Sequence, residues 1–258
     1  MKINLKDTTF IIPIRIDSIV RLENLILTVD CIQNNFETNI VVLEAATYNN
    51  MLIQFLTKNI TYYFIEDKDP VFHKTKYLNI MANDVKTDFI AIWDADIILE
   101  KEQIEDAVKQ LRNGNADISY PYNGDFLDTS YILRNHYWIH RDIGFLKKHK
   151  DKMYSLYSVE GVIGAVGGAI IAKTEKYLYA GKDNEEFYGW GLEDGERHYR
   201  WLEFEYNIYR CDDCIFHLSH PRDINGSFRS EIHRDKANHD FNVIVNYGKA
   251  ELIEKVAR

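Results

Sequence analysis

Over its first 121 residues the chain alternates short apolar, β-branched runs with longer stretches of mixed polarity. Thr9–Ile14, Ile40–Glu44 and Ile60–Ile65 read as strands, with Ser18–Asn34 and Asn50–Lys58 as the helices between them. Lys74–Asp84 has apolar side chains at Tyr77, Leu78, Ile80 and Met81, the spacing of one helix face, and leads into a strand over Asp88–Trp93. Gln103–Asn113 predicts a further helix, ended by Asn113-Gly114-Asn115, and Asp117–Pro121 another strand. This alternation marks an α/β fold, a mostly parallel central sheet flanked by helices, in which ligands gather outside the carboxyl ends of the strands.

From Tyr122 the rhythm breaks. Residues 122–160 are rich in aromatic and charged side chains without a clear period, and read as a mobile or acceptor-facing insertion. Gly161–Ala172 is apolar and glycine-rich: either a buried strand with a bulge, or a place where Gly164, Gly167 and Gly168 let backbone approach a ligand closely. No internal repeat or Pro/Ser-rich linker divides the chain, so a single domain over 1–258 is expected.

Composition narrows the function. With 258 residues, 46% of them hydrophobic, the chain has material for a substantial core. A net charge of -9 argues against nucleic acid as a partner, because affinity for a phosphate backbone rests on clustered Lys and Arg. An anionic substrate then needs a metal or a local basic patch. Three cysteines, Cys31, Cys211 and Cys214, are too few for a disulfide scaffold and suggest a reducing compartment. No apolar run approaches the ~20 residues of a membrane span, so the chain is expected to be soluble, and with the cysteines this suggests a cytoplasmic protein. Peripheral membrane association through residues near the C-terminus stays open.

Two acidic motifs carry the candidate chemistry. Asp94-Ala95-Asp96 closes the apolar run Phe89-Ile90-Ala91-Ile92-Trp93, where a carboxylate pair suits a divalent cation held against a diphosphate. Its ordinary explanation is a solvated turn after a strand. Gly189-Trp190-Gly191-Leu192-Glu193-Asp194 opens a polar, helix-like stretch, and acids at a helix start also complement the helix dipole. An aromatic flanked by glycines suits stacking on a sugar face, which a purely structural helix start does not require. Cys211-x-x-Cys214-x-x-His217-x-x-His220 offers zinc-like ligands, but a strand leading into Pro221 would point successive ones in different directions. Tyr120, Tyr122, Trp138, Tyr154 and Tyr157 are candidates for an acceptor groove, and Arg141, Lys147, Lys148, His149 and Lys150 read as a solvated basic surface.

In this order the motifs resemble those of GT-A-fold inverting glycosyltransferases, the group of β1,4-galactosyltransferases and the galactosaminyltransferase domain of chondroitin polymerases. Ile11-Ile12-Pro13-Ile14-Arg15 is similar to the opening strand and Pro-Phe-Arg turn that contacts the nucleotide, and Phe72-His73-Lys74-Thr75-Lys76-Tyr77-Leu78-Asn79 to the uridine-side segment. Asp94-Ala95-Asp96 resembles the Asp-x-Asp metal motif, and Val166-Gly167-Gly168-Ala169 the strand beneath the donor sugar. The Trp190 to Asp194 stretch resembles the acceptor and catalytic motif, and His220-Pro221-Arg222-Asp223 the end that supplies a metal-binding histidine. Lys74 stands where the galactosyltransferases carry Arg, Ile16-Asp17 replaces a second Arg, Gly195-Glu196 replaces an acidic run, and His217 replaces a metal-contacting Met. The last exchange shifts preference toward harder ions.

The resemblance implies transfer of galactose or N-acetylgalactosamine from a UDP-sugar donor to a glycan acceptor, with Mn²⁺ or Mg²⁺ as cofactor. It implies Asp194 as base with Glu193 beside it, and Asp96, His220 and His217 as metal ligands. Pro13, Arg15, Phe72, Lys74, Asp94, Gly167, Gly168 and Trp190 would bind substrate. Residues 1–121 would form the nucleotide-binding half and 122–258 the acceptor-binding and catalytic half. Without the anchor and stem of the animal enzymes, bacterial polysaccharide or surface-glycan assembly is the expected setting. The rival readings are a binding module without turnover, a retaining transferase and a nucleotidyltransferase.

Overall fold

The computed structural model describes residues 1–157, 164–222 and 224–256. In chain order the elements are β1 (Ile3–Ile14), α1 (Ile19–Asn35), β2 (Phe36–Ala46), α2 (Leu52–Leu56), β3 (Thr61–Glu66), α3 (Lys74–Asp84), β4 (Phe89–Trp93), β5 (Ile97–Ile98), α4 (Lys101–Arg112), β6 (Ile118–Tyr120) and β7 (Phe126–Asp128). They continue with α5 (Tyr131–His140), α6 (Ile143–Lys148), β8 (Tyr154–Leu156), β9 (Ala169–Lys173), α7 (Thr174–Tyr179), α8 (Glu193–Glu203), β10 (Ile208–Arg210), β11 (Ile215–His217), α9 (Glu231–Val245) and α10 (Lys249–Val256).

Among the described residues, seven strands form the main sheet in the order β10-β6-β9-β4-β1-β2-β3, and of these only β9 runs antiparallel to its neighbours. Helices cover both faces of its centre, so every residue of β4 is buried, and Trp93 meets Phe10 of β1 edge to face at 5.1 Å. That explains why β4 reads as an unbroken apolar run rather than an alternating one. A smaller sheet, β5-β11-β7-β8, stands beside the carboxyl ends of β1 and β4. Among the described residues no helix is long and apolar enough to cross a membrane.

Several boundaries differ from the sequence reading. β1 begins at Ile3, because a register shift between Leu5 and Thr9 absorbs the polar Lys6-Asp7-Thr8 that interrupts the apolar pattern. The helix expected over Asn50–Lys58 shrinks to the five residues of α2, entered through Met51 in the left-handed region. The stretch from Tyr122 is built of regular elements, β7, α5, α6 and β8, too short for their periods to show. The expectation for residues 158–160 lies outside the described residues, as does that for Gly161 to 163. The strand expected there begins only at Ala169, and Gly164 to Gly168 form a loop against the pocket.

Candidate active site

The two sheets bring the acidic motifs together by register. In the main sheet Trp93 pairs with Ala169, and the Asp94 N–H donates to the Gly168 carbonyl at 2.8 Å, so the Gly167-Gly168 turn lies against the end of β4. In the small sheet His217 pairs with Ile97 on one side and Asp128 on the other, while the Leu218 N–H donates to the Asp96 carbonyl. Two fully buried polar side chains of α1 lock this arrangement: Asn24 donates to the Leu218 carbonyl at 2.7 Å and Thr28 to the Ala95 carbonyl at 3.0 Å. β11 thereby sets His217, and the turn after it His220, over the Asp96 carboxylate.

Asp96, His217 and His220 form a cluster whose ligand atoms all lie within 4.8 Å of one another. The Asp96 Oδ2 is 3.1 Å from His220 Nε2 and 3.6 Å from His217 Nε2. His217 Nδ1–H donates to Asp128 at 2.7 Å, which orients the ring and turns Nε2 toward Asp96, as a carboxylate does behind a metal-ligating histidine. His220 Nδ1 is 2.9 Å from the Pro221 carbonyl and 3.3 Å from Arg21 Nη2. Burial opposes charge on Asp96, but the two histidines hold its carboxyl well below the usual range. Burial likewise opposes the His217 imidazolium, and Asp96 and Asp128 outweigh it, raising the ring to about 9. Two imidazole nitrogens and a carboxylate oxygen fit a divalent first-row cation, which would take the place of the proton on His217 Nε2. The zinc-like reading of the Cys–His run gets no such geometry: Cys211 Sγ donates to the Gln103 carbonyl, and Cys214 packs in a separate apolar cluster.

The second motif is shaped by its glycines. Gly189 and Gly191 have φ of 93° and 113°, which an L side chain adopts only with strain, and a Cβ at Gly191 would sit 2.6 Å from the Phe228 ring. This tight entry starts α8 at Glu193, whose Oε2 accepts the Gly191 N–H at 2.9 Å. Trp190 meets Phe228 edge to face at 5.3 Å. Burial, then the neighbouring Asp194 charge, push Glu193 up to about 7 against the pull of Lys74. Burial also works against Asp194, but Lys74 and Arg197 outweigh it and hold this carboxyl below its ordinary value. Asp194 keeps a side-chain exposure of 25%, and it lies over Gly167, where any Cβ would collide with its Oδ2.

Between the motifs stands Lys74, the first residue of α3, with its ammonium 2.7 Å from Asp94. Burial alone would discharge it; Asp194, Asp94 and Glu193 together raise its pKa instead. Burial, with Asp96 and Asp194 nearby, raises Asp94 despite that ammonium. The pocket they share holds about 470 Å³ and is lined by all thirteen residues that the family resemblance implies as base, metal ligands or substrate contacts. Pro13, Arg15, Phe72, Lys74 and Asp94 come from the first half of the chain, with Asp96 at the floor. Gly167, Gly168, Trp190, Glu193, Asp194, His217 and His220 come from the second.

Not every expected detail holds. Arg15 lines the pocket, yet its guanidinium is committed to the Ala45 carbonyl at 2.8 Å, the Asp69 carbonyl at 2.7 Å and Asp67 at 2.5 Å, with Phe72 stacked against it. Of the five aromatics offered for an acceptor groove only Tyr157 lines the pocket: Tyr120 and Tyr122 are fully buried and Trp138 lies under Arg134 and Arg141. Of the basic cluster, Lys147 and Lys150 pair with Glu100 and Asp213 away from the site. Asp223 of the last motif lies outside the described residues. Asp128, Arg197, Phe126 and Phe228 were not singled out, since each owes its place to strand register or packing; the i,i+3 spacing of Asp194 and Arg197 is the one signal that pointed to a pair.

No protein-family model and no curated protein matches the chain. Solved structures do. S. aureus TarS (residues 1–349) in complex with UDP-GlcNAc aligns with a TM-score of 0.57 at 12% identity, over 98% of this chain and 69% of that one. Glucosyl-3-phosphoglycerate synthase from Mycobacterium tuberculosis, in complex with Mn²⁺, UDP and phosphoglyceric acid, aligns at 0.53 and 12% over 83% and 71%. The catalytic domain of Drosophila β1,4-galactosyltransferase 7 with xylobiose aligns at 0.51 and 15% over 90% and 79%. With the parallel sheet, the antiparallel β9 and the pocket at the strand ends, these likenesses identify the architecture: the chain has the GT-A fold of nucleotide-sugar transferases.

Proposed function

We propose that this protein is a metal-dependent inverting glycosyltransferase of the β1,4-galactosyltransferase and chondroitin-polymerase type, moving galactose or N-acetylgalactosamine from a UDP-sugar to a glycan hydroxyl. The observation that carries the reading is the single pocket in which the Asp96, His217 and His220 cluster faces the Glu193-Asp194 pair. Mn²⁺ bound by that cluster would neutralise charge on the leaving diphosphate. Glycosyltransferases that share the fold, including one crystallised with Mn²⁺ and UDP, lend support.

The chain's own residues divide the remaining work. Pro13 and Phe72 flank the nucleotide, and Arg15 acts by fixing the Asp67 to Asp69 turn behind Phe72. Lys74 and Asp94 bracket the diphosphate and ribose, Gly167 and Gly168 leave room for the donor sugar, and Trp190 stacks on the acceptor. Asp194 takes the acceptor hydroxyl proton as the new C1–O bond forms and the C1–O bond to phosphate breaks. Glu193 has the pKa nearer neutrality, which favours a base. We favour Asp194 all the same: Glu193 is 7% exposed and bonded to the Gly191 N–H, whereas Asp194 Oδ2 accepts no hydrogen bond among the described residues and its lowered pKa keeps it ionised in the neutral range. Glu193 then serves to hold a sugar hydroxyl.

A non-catalytic nucleotide-sugar or glycan-binding module is the rival, favoured by the engagement of all three Arg15 guanidinium nitrogens with protein acceptors. Turnover separates the two. With a panel of UDP-sugars and Mn²⁺, wild type releases UDP from UDP-galactose or UDP-N-acetylgalactosamine and the product anomer is inverted. Asp194→Asn loses about 10²- to 10⁴-fold in rate, the range for a general base, while still binding donor. No release from any donor, or wild-type turnover by Asp194→Asn, refutes the proposal.

A further inference from the structure

Behind the pocket lies a buried ion pair, neither of whose members lines it. Arg197, one turn along α8 from Asp194, has a side-chain exposure of 1%, and Asp183 has none. The guanidinium donates through Nη1 to Asp183 Oδ1 and through Nη2 to Asp194 Oδ1, the latter at 2.6 Å. Asp183 is itself held on three sides: the Tyr177 hydroxyl donates to its Oδ2, and Asn79 of α3 accepts its N–H at 3.0 Å and donates to its carbonyl at 2.9 Å. Packing of the Trp201 ring 5.4 Å from the guanidinium carbon completes the cage.

A buried guanidinium needs one carboxylate for neutrality, and Asp183 supplies it. The bond to Asp194 is a second one, and its effect falls on the pocket: Oδ1 is tied down, and Oδ2 is left over Gly167 with no hydrogen-bond partner among the described residues. Resting on the glycosyltransferase reading, we infer that Arg197, anchored by Asp183, is a positioning residue that fixes the Asp194 carboxylate with Oδ2 aimed at the incoming hydroxyl. The planar fork is what the role demands, because it bridges two carboxylates at a set angle; an ammonium at the same place is a point charge without that geometry.

The test uses the full chain with Arg197→Lys, and with Asp183→Asn combined with Arg197→Gln, which removes both buried charges together and so leaves neither unpaired. Melting temperature, donor affinity, acceptor KM and kcat are measured for each. The double variant is expected to melt near wild type and to hold donor affinity and acceptor KM within about twofold, with kcat down on the order of 100-fold, the loss typical of a misplaced reacting group. Arg197→Lys falls between the two. Should the double variant not fold, Arg197→Lys alone carries the same kcat-against-KM comparison. A folded variant with wild-type kcat overturns the inference, as does a kcat loss matched by equal losses in donor affinity and melting temperature. A wild type that cleaves no UDP-sugar removes the proposed function and this role with it, whereas an active wild type with an indifferent variant removes only the role.

Discussion

Replacing Glu193 by Gln should stabilise the protein, and do so more strongly as pH rises. The side chain is buried, its Oε2 already accepts the Gly191 N–H, and the amide oxygen of Gln can accept the same bond, so the exchange removes charge and little else. Burial and Asp194 lift this carboxyl from an ordinary 4.5 to about 7. A group raised in this way contributes its stability in full below about 4.5 and loses it as pH climbs through about 7, because the fold resists an ionisation that the unfolded chain accepts. At about 1.4 kcal/mol per tenfold change in proton affinity, the two equilibria give a penalty for wild type of about 1 kcal/mol at pH 5 and about 3 kcal/mol at pH 8. For a chain of this size, at roughly 2 °C per kcal/mol, Glu193→Gln should gain about 5 °C more in melting temperature at pH 8 than at pH 5. The assay is thermal unfolding of both proteins in chelator across that range. An equal gain at both pH values, or a loss at pH 8, would show that Glu193 is not a destabilised charge and would undo the electrostatic description of this motif.

Two further outcomes follow from neighbouring geometry. Gly167→Ala places a Cβ against Asp194 Oδ2, so the displaced carboxylate should cost on the order of 100-fold in kcat; a normal rate would mean that Asp194 has room to spare. Asp128→Asn weakens the support behind His217, and Mn²⁺ affinity, followed by calorimetry, should fall about 10- to 100-fold; unaltered affinity would detach His217 from the ion.

What the sequence made legible was local. The buried β4 declares itself through five apolar residues in a row, and α3 through its apolar spacing, so the sequence pattern alone places the first acidic motif at a strand end. Less visible was everything that depends on distant register. Nothing local marks Asp128 as a partner of His217; the parallel pairing of β7 with β11 does that. Asn24 and Thr28 look like polar interruptions of α1 until Leu218 and Ala95 supply the carbonyls they bond. The family resemblance implies Arg15 as a nucleotide contact, whereas in space it donates to the carbonyls of Ala45 and Asp69. The aromatic stretch from Tyr122 hid three-residue strands because a period needs length to be seen.

The central claim is that one pocket grips a cation with Asp96, His217 and His220 while Asp194 faces the acceptor across it. A crystal structure of the protein soaked with Mn²⁺ and UDP tests this most directly. The expected result is one ion on those three side chains, touching the diphosphate, with Asp194 Oδ2 open to the space where the donor sugar would sit. An ion bound elsewhere, or UDP lodged outside this pocket, would contradict it.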